Sequence, residues 1–352
     1  MSFSRFVLLT LGLGLMAGPA HAAQPTLIVH GGAGVIRGDL SAADEREIRA
    51  ALSDALRRGQ AELAAGKSAL DAVTAAVTVL EDSPHFNAGR GAVFTHEGRN
   101  ELDASLMEGK TQRAGAVAGV RHVRNPILLA RAVMQQSPHV MLVGAGAETF
   151  AKEQGFKLVN ADYFRTEKRW NQLQNRQREE REKQAATTPD YLKYVGTVGA
   201  VALDAGGNLA AATSTGGMTN KRWNRVGDSP IIGAGTWADA GCAVSGTGWG
   251  EFYIRTAAAH SICARVKYLN ESAADAGAAI INGEIVAMGG DGGAIVMTAD
   301  GGFAFPFNTD GMYRGWIGPD AVPHVAIYAG DGLRGDVESK PAAPEKPATP
   351  SH

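Results

Sequence analysis

The chain has 352 residues, a formal net charge of −2 and 45% hydrophobic residues. This length allows one large core or two ordinary domains, and the balanced charge excludes a strongly basic nucleic-acid-binding protein. The 45 glycines exceed the usual ~7% of residues, and they follow no period, which excludes collagen and solenoid repeats.

The first 22 residues are predicted to be a cleaved signal peptide. A short basic start precedes the apolar stretch 6–18, and Ala20-His21-Ala22 fits a small-x-small cleavage site. The apolar stretch is shorter than the roughly 20 residues that span a membrane. We therefore expect a periplasmic protein with no membrane segment once the leader is removed. Cys242 and Cys263 are the only cysteines, and we expect free buried thiols, although export permits a disulfide.

The first half of the mature chain is predicted to alternate helices with short strands. A strand at 26–29 enters a glycine-rich turn, and Ser41 caps a helix over 42–64, with Glu45 as the partner in a capping box. Ser68 caps a second helix over 69–80. The other elements predicted here are a hairpin from 92–95 and 102–107, a strand at 114–120, a helix at 126–136, a strand at 140–143 leading into 145–154, and a charged helix at 166–183.

The second half is predicted to begin with closely spaced strands, at 197–203, 208–214 and 240–245. Helices over 251–267 and 273–282 follow, and then a hairpin from 294–298 and 303–307 that turns at Asp300-Gly301. Helices that flank hairpins indicate an α+β protein with stacked sheets covered by helices. Residues 184–196 are predicted to be a variable, cleavable linker, and residues 334–352 a disordered tail.

The stretch Gly196-Thr197 places a hydroxyl at the start of a buried strand. If the bond between these residues is cut, Thr197 has a free α-amine beside its own hydroxyl. An α-amine has a pKa of about 7.7–8.0, so nucleophile and base lie in one residue. Gly196 suits a self-cut by an N→O acyl shift and hydrolysis of the resulting ester, because glycine tolerates strained backbone.

Polar residues downstream of Thr197 suggest what such a nucleophile would act on. Thr215, at the end of the next strand, can hydrogen-bond to Thr197. Arg225 and Asp228 can bind the α-carboxylate and α-ammonium of an amino acid, although the pair can also be an ordinary surface ion pair. The turn at 246–250 carries Thr247 and suits a developing oxyanion, or is simply a helix N-cap or a nucleotide loop.

The sequence resembles the plant-type L-asparaginase / isoaspartyl peptidase family of N-terminal nucleophile hydrolases. The resemblance covers about residues 25–330 and rests on separated blocks in the family's order. These blocks are HGGAG at 30–34, FNAGRGAVFT at 86–95, ELDASLM at 101–107, GTVGAVA at 196–202, STGG at 214–217, RVGDSP at 225–230 and SGTGWGE at 245–251.

The resemblance implies a role for each matching residue. Thr197 is the nucleophile and the new N-terminus after cleavage of the Gly196-Thr197 bond, and Thr215 assists its activation. Asn87 helps to position the cleavage site. The other implied site residues are Arg225 and Asp228 for the substrate's α-carboxylate and α-amine, Thr247 and Gly248 for the oxyanion hole, and the backbone of Gly250 for a further substrate contact.

The resemblance also implies a four-layer αββα sandwich and a dimer of αβ heterodimers. Residues 23–196 would form the α-subunit and residues 197–333 the β-subunit of one domain. No cofactor is implied for catalysis, but a loop resembles the family's structural Na⁺ site. The predicted Na⁺ ligands are backbone carbonyls of Leu80, Glu81, Ser83, Phe86, Ala88 and Arg90, since neutral oxygens suit such an ion.

The leading functional prediction is hydrolysis of the β-aspartyl bond in β-aspartyl dipeptides and in L-asparagine, with no nucleic-acid partner. The alternatives within the superfamily are a glycosylasparaginase-like amidase and a threonine endopeptidase. Outside it, the alternative is a non-catalytic periplasmic protein that binds an amino acid through Arg225 and Asp228.

Overall fold

A computed structural model describes residues 24–183 and 196–338. The predicted signal peptide, the linker residues 184–195 and the tail from residue 339 lie outside the described residues.

The strands form two sheets. In chain order they are β1 (Thr26–Ala33), β2 (Leu102–Glu108), β3 (Ala114–Val120), β4 (Met141–Val143), β5 (Val198–Leu203), β6 (Leu209–Thr215), β7 (Thr236–Ala238), β8 (Cys242–Gly248), β9 (Gly292–Thr298), β10 (Phe303–Phe307), β11 (Gly311–Ile317), β12 (His324–Tyr328) and β13 (Asp336–Glu338). The large sheet has the order β12-β11-β1-β5-β6-β2-β3-β4, and the small sheet has the order β13-β10-β9-β8-β7. The predicted nucleophile therefore precedes a central strand of the large sheet.

The α-helices lie outside the sheets. They are α1 (Ala42–Ala64), α2 (Ala69–Asp82), α3 (Pro126–Gln136), α4 (Gly144–Glu153), α5 (Glu167–Lys183), α6 (Gly250–Thr256), α7 (Ala258–Leu269), α8 (Ala273–Gly277) and α9 (Ile285–Ala287), with a π-helical stretch at Ala278–Glu284 between the last two. Short 3₁₀ turns lie at Gly89–Gly91 and Ala161–Phe164.

Apolar side chains fill the space between successive layers, which confirms the predicted α+β sandwich. Helices α1, α2 and α3 cover the outer face of the large sheet. Residues such as Ile28 and Val201 lie between the two sheets. Helix α7 and the helical segment 273–287 cover the outer face of the small sheet. Alternate residues of the strands thus enter different layers, as the pleat of a strand requires.

Three local predictions were wrong. The capping box of α1 uses Asp44, which is the third residue after the cap, in place of Glu45. Residues 92–95 form no strand, because the Asn100 amide binds the carbonyls of Ala92 and Val93. The helix predicted over 251–267 is broken at Ala257, whose φ of 46° is left-handed.

The two cysteines are joined in a disulfide, which corrects the prediction of free thiols. Cys242 lies on β8 and Cys263 on α7, with a Cα–Cα distance of 5.4 Å. The prediction failed because the pairing depends on how α7 packs across β8, which the sequence does not display. A loop of 21 residues closed in this way stabilises the fold by about 3 kcal/mol, chiefly by restricting the unfolded chain.

The predicted disordered tail begins too early at residue 334. Asp336–Glu338 forms β13, parallel to β10. Both carboxylate oxygens of Asp336 accept hydrogen bonds at 2.6 Å from the guanidinium of Arg314, which is fully buried. A buried guanidinium requires such a partner, so the chain is held in place through this segment.

Within the described ranges, no helix has both the length and the apolarity needed to cross a membrane.

Candidate active site

Thr197 lies immediately before β5 and is 4% exposed. Its hydroxyl donates a hydrogen bond to the Thr215 hydroxyl at 3.1 Å. The contact arises because β5 and β6 pair antiparallel, with Val198 opposite Ser214. The start of one strand therefore meets the end of the other, as the sequence predicted.

The carbonyl oxygen of Gly196 receives two hydrogen bonds. The Asn87 side-chain amide donates at 2.7 Å and the Thr215 hydroxyl donates at 3.2 Å. Asn87 is itself held by a bond to the Gly217 carbonyl at 2.7 Å and by one from the Val93 N–H at 3.0 Å. These donors are placed to stabilise negative charge on the Gly196 oxygen when its carbonyl carbon is attacked.

Strand β1 was predicted to end at residue 29 but continues to Ala33, with an irregularity between His30 and Gly32, and its glycine-rich end lies directly against the Gly196-Thr197 peptide bond. Gly32 has a φ of +115°, and a Cβ there would lie 2.9 Å from the Gly196 Cα and 3.2 Å from the Thr197 nitrogen. Only glycine fits this backbone conformation and this separation. The end of β1 therefore leaves no space for a side chain beside the bond that is predicted to be cut.

His30 fixes the carbonyl of Thr197. Its Nδ1 lies 3.0 Å from the Thr197 oxygen and its Nε2 lies 2.9 Å from the Ser245 hydroxyl. Complete burial lowers the pKa of His30 to about 3, so the imidazole is neutral. A neutral imidazole has one donor and one acceptor, and a carbonyl only accepts. Nδ1–H therefore donates to Thr197, and Nε2 accepts from Ser245.

This assignment sets the direction of a buried chain of hydroxyls between the two sheets. Ser245 donates to His30, so Thr213 donates to Ser245 over 2.7 Å. Thr236 donates to Thr213 at 2.5 Å. The sequence did not indicate these hydroxyls as part of the site, since Ser and Thr are ordinary in strands.

Replacing Ser245 by Ala is expected to weaken the position of Thr197. The change leaves His30 Nε2 as a buried acceptor without its donor, which costs about 1–3 kcal/mol. We expect a lower denaturant midpoint and slower self-cleavage. Ser261→Ala is the matched control, because that hydroxyl donates to Thr256 O on a peripheral helix. If both substitutions slowed self-cleavage equally, the proposed role of the hydroxyl hydrogen bonds in positioning Thr197 would be contradicted.

Arg225 and Asp228 lie near each other, but the ion pair of Arg225 is with Glu251 and not with Asp228. Arg225 donates from Nε at 2.9 Å and from Nη2 at 2.7 Å to the carboxylate of Glu251. Gly250 lies between them, since a Cβ there would be 2.8 Å from both Arg225 Nη2 and Asp228 Oδ1. The backbone of Gly250 thus borders both charged groups. The ion pair of Arg225 with Glu251 was not predicted from the sequence.

Asp228 is a buried carboxyl, and one of its two oxygens, Oδ2, has no hydrogen-bond partner within the described parts of the chain. Burial raises the pKa of Asp228 to about 7, against the opposing effect of Arg225. A buried carboxyl with a free oxygen is suited to a cationic ligand, whose charge would favour the ionised form.

Thr247 and Gly248 are the last two residues of β8, and the predicted helix begins two residues later, at Gly250. The Thr247 hydroxyl accepts a hydrogen bond from the Ala33 N–H at 3.3 Å. A Cβ at Gly248 would lie 2.4 Å from the Asp291 carbonyl. The end of β1 therefore links Thr247 to the surroundings of Thr197, and the end of β8 is tightly packed.

Comparison with known proteins agrees with this geometry. The asparaginase family profile matches residues 23–327. The chain belongs to this family. It is 51% identical over 309 residues to an isoaspartyl peptidase of Salmonella typhimurium, covering 87% of this chain and 99% of the relative.

Two further members of the asparaginase family are similarly matched. An isoaspartyl peptidase of Escherichia coli is 50% identical over 314 residues, covering 87% of this chain and 96% of that protein. A plant-type L-asparaginase of Pyrobaculum calidifontis is 44% identical over 302 residues, covering 84% of this chain and 98% of that protein.

Glu81 is a further feature of this asparaginase-family site that sequence reasoning assigned only to the Na⁺ loop. Its Oε1 accepts from the Ser214 hydroxyl at 2.6 Å and from the Ile127 N–H at 3.0 Å. Its Oε2 has no partner among the described residues. Complete burial raises the pKa of Glu81 to about 8. The side chain therefore lies directly behind the strand end that carries Thr215.

Replacing Glu81 by Gln is expected to change the pH dependence of stability. The folded-state pKa lies above the ordinary 4.5, so the unfolded state releases its proton first. The wild-type free energy of unfolding then falls by about 1.4 kcal/mol per pH unit between these pKa values. The Gln variant should lack this part of the decline in urea unfolding from pH 5 to 8. If the free energy of unfolding fell equally with pH in both proteins, Glu81 would not be a neutral buried carboxyl in the folded state.

Glycine backbone packs closely against carbonyl oxygens of the predicted Na⁺ loop. Gly89 has a φ of +48°, and a Cβ there would lie 2.3 Å from the Glu81 carbonyl oxygen. A Cβ at Gly91 would lie 2.1 Å from the Phe86 carbonyl oxygen. The donors are neutral oxygens, as a monovalent ion prefers. In the described residues, no group of three or more His, Cys, Asp and Glu could hold a metal ion.

Proposed function

We propose that this protein is an isoaspartyl peptidase and L-asparaginase whose nucleophile is Thr197, freed by cleavage of the Gly196-Thr197 bond. The observation that carries the proposal is the hydrogen-bond path from the Thr197 hydroxyl through Thr215 to the Gly196 carbonyl. Relatives that match nearly their whole length bear the names isoaspartyl peptidase and L-asparaginase. Neither the glycosylasparaginase-like reading nor the binding-protein reading is favoured by these names.

Maturation begins with attack of the Thr197 oxygen on the Gly196 carbonyl carbon. Its proton passes to Thr215, which gives its own proton to the carbonyl oxygen, and the Asn87 amide stabilises the negative charge that develops on this oxygen before it is protonated. The C–N bond then breaks as the hydroxyl formed on the former carbonyl oxygen gives up its proton and the nitrogen takes it, which restores the C=O bond and leaves an ester between Gly196 and the Thr197 oxygen. Water hydrolyses the ester, which leaves a carboxylate on Gly196 and a free amine and hydroxyl on Thr197.

Turnover uses the amine that maturation creates. The amine takes the hydroxyl proton as the Thr197 oxygen attacks the β-carbonyl of the substrate. Thr247 and the Gly248 N–H stabilise the oxyanion in this proposal. The leaving amine takes the proton as its bond to the carbonyl carbon breaks, and water then hydrolyses the aspartyl ester to release aspartate.

Substrate recognition rests on the charged pair beside Gly250. The aspartyl α-ammonium binds the free oxygen of Asp228 and favours its ionised form. The aspartyl α-carboxylate binds Arg225, where Glu251 already uses Nε and Nη2 and leaves Nη1 to the ligand. A guanidinium has enough donors for both carboxylates.

The test is release of aspartate from β-aspartyl dipeptides, from L-asparagine and from N-acetylglucosaminyl-asparagine. We expect turnover of the first two substrates. Hydrolysis of the glycosylated substrate alone would favour the glycosylasparaginase alternative, and stoichiometric binding without turnover would favour the binding protein.

We also propose export to the periplasm, a dimer of αβ heterodimers and a structural Na⁺. Residues 1–22 read as a signal peptide, and the Cys242–Cys263 disulfide suits an oxidising compartment. The carbonyls predicted from Leu80 to Arg90 would hold Na⁺ and stiffen the loop that carries Asn87. N-terminal sequencing of periplasmic protein, sedimentation analysis, and thermal unfolding in sodium against choline salts test these three proposals.

A further inference from the structure

A cavity beside Gly196 is lined by residues that include Asn87 of the proposed self-cleavage but neither Arg225 nor Asp228. It has a volume of about 290 Å³. The residues that matter for its chemistry are Gly32, Asn87, Lys168, Arg169, Gly196 and Tyr313. Its wall reaches the nucleophile, because a Cβ on Gly32 would lie 3.2 Å from the Thr197 nitrogen.

Arg169 provides an uncompensated positive charge in this cavity. Its Nε donates to the Gly91 carbonyl at 2.7 Å and its Nη1 donates to the Gln172 amide oxygen at 3.0 Å. Both partners are neutral, and no carboxylate of the described residues forms an ion pair with it. Burial lowers the pKa of Arg169 to about 10. A half-buried guanidinium without an acidic partner is suited to an anionic ligand.

The other charged groups that face the cavity do not cancel this charge. Lys168 adds a second cation, and Asp44 is the acid that acts on it. Asp39 also lines the cavity, and its side chain is exposed to solvent. His85 also lines the cavity, and its Nε2 lies 3.2 Å from Glu47. An anion bound in this cavity is therefore stabilised most strongly at the end that carries Arg169.

The proposed substrates differ in one charge at this position. A β-aspartyl dipeptide carries the α-ammonium and α-carboxylate of its aspartyl residue, and also the carboxylate of the residue that leaves. Asparagine has only the first two, because its leaving group is ammonia. Arg225 and Asp228 account for the aspartyl charges, so the third charge falls to the side of Thr197 that the departing Gly196 vacates.

We propose that Arg169, supported by Lys168, binds the carboxylate of the leaving residue and makes the site selective for β-aspartyl dipeptides that end in a free carboxylate. This inference rests on the proposed function. The same carboxylate chemistry is present in the new C-terminus of Gly196, which is the rival occupant. The two occupants differ in consequence, because only the leaving residue makes Arg169 matter more for one substrate than for another.

The experiment compares substrates on self-cleaved protein, with the cleaved fraction measured by mass. The substrates are β-aspartyl-leucine, β-aspartyl-leucinamide and asparagine. We expect the wild type to prefer the acid to the amide by roughly tenfold in kcat/KM, the effect of one charge-assisted hydrogen bond. Arg169→Met should lose this preference through a higher KM for the acid, and should hydrolyse asparagine within about twofold of wild type.

Arg165→Met is the matched control. Arg165 stacks on Trp170 at 4.3 Å and does not line the cavity, so its loss should keep the preference for the acid. If Arg169→Met does not cleave itself, the proposal is tested with Lys168→Met and with the wild-type preference for the acid over the amide. Lys168→Met should weaken that preference.

Equal wild-type turnover of acid and amide would overturn the subsite while the proposed function stands. An equal loss on all three substrates in Arg169→Met would overturn it in favour of the Gly196 carboxylate as occupant. Wild-type protein that hydrolyses none of the substrates would overturn the proposed function, and the subsite with it.

Discussion

Thr197→Ala is expected to leave the chain in one piece and to lower the hydrolysis of β-aspartyl dipeptides on the order of 10⁴-fold or more, as loss of a nucleophile does in other hydrolases. The alanine has no hydroxyl to attack Gly196, so the amine that serves as base is never released. Denaturing gel electrophoresis and an aspartate-release assay measure the two effects on one preparation.

Thr197→Ser is the matched control for this prediction. Serine keeps the hydroxyl and the bond to Thr215 but loses the methyl group that restricts side-chain rotation. We expect slower cleavage and partial activity. An Ala variant that remains active as a single chain would show that the hydroxyl is not the nucleophile.

Asp228→Asn is expected to reduce kcat/KM by about 10²-fold or more, because the substrate's ammonium would meet a neutral amide in a buried position. Self-cleavage should continue, since Asp228 does not contact Gly196. In the wild type the ionised carboxylate binds the ammonium, and its pKa is about 7. The wild-type KM should therefore rise as the pH falls below 7, and the Asn variant should lack this dependence.

A substrate without the ammonium provides the control for Asp228. Succinamate has the same amide and carboxylate as asparagine but no α-amine. Wild type and Asp228→Asn should hydrolyse it at similar, low rates. A variant that loses as much activity on succinamate as on asparagine would place Asp228 in the support of the fold and not in ammonium recognition.

Contacts between strands that are neighbours in the sequence could be predicted from the sequence alone. Thr197 and Thr215 meet because β5 and β6 form a hairpin whose turn is short. The αββα arrangement followed from the resemblance, and the packed layers agree with it. The hairpin at residues 294–307 was also predicted correctly, with its turn at Asp300-Gly301.

Contacts across the layers could not be predicted in the same way. Arg225 meets Glu251 through the packing of α6 against the loop before β7, and nothing in their spacing favours this acid over Asp228. His30 meets Ser245 across the interface of the sheets. Buried hydroxyls and a buried acid such as Glu81 have no periodic pattern of their own, so only the tertiary structure shows their pKa shifts and partners.

The central claim is that cleavage at Thr197 creates the catalytic base. The most direct measurement follows intact mass and aspartate release together while freshly purified wild-type protein matures. The account predicts two chains, the second beginning at Thr197, and activity that rises in proportion to the cleaved fraction. Full activity in the uncut chain, or a chain that stays whole while it hydrolyses substrate, would contradict it.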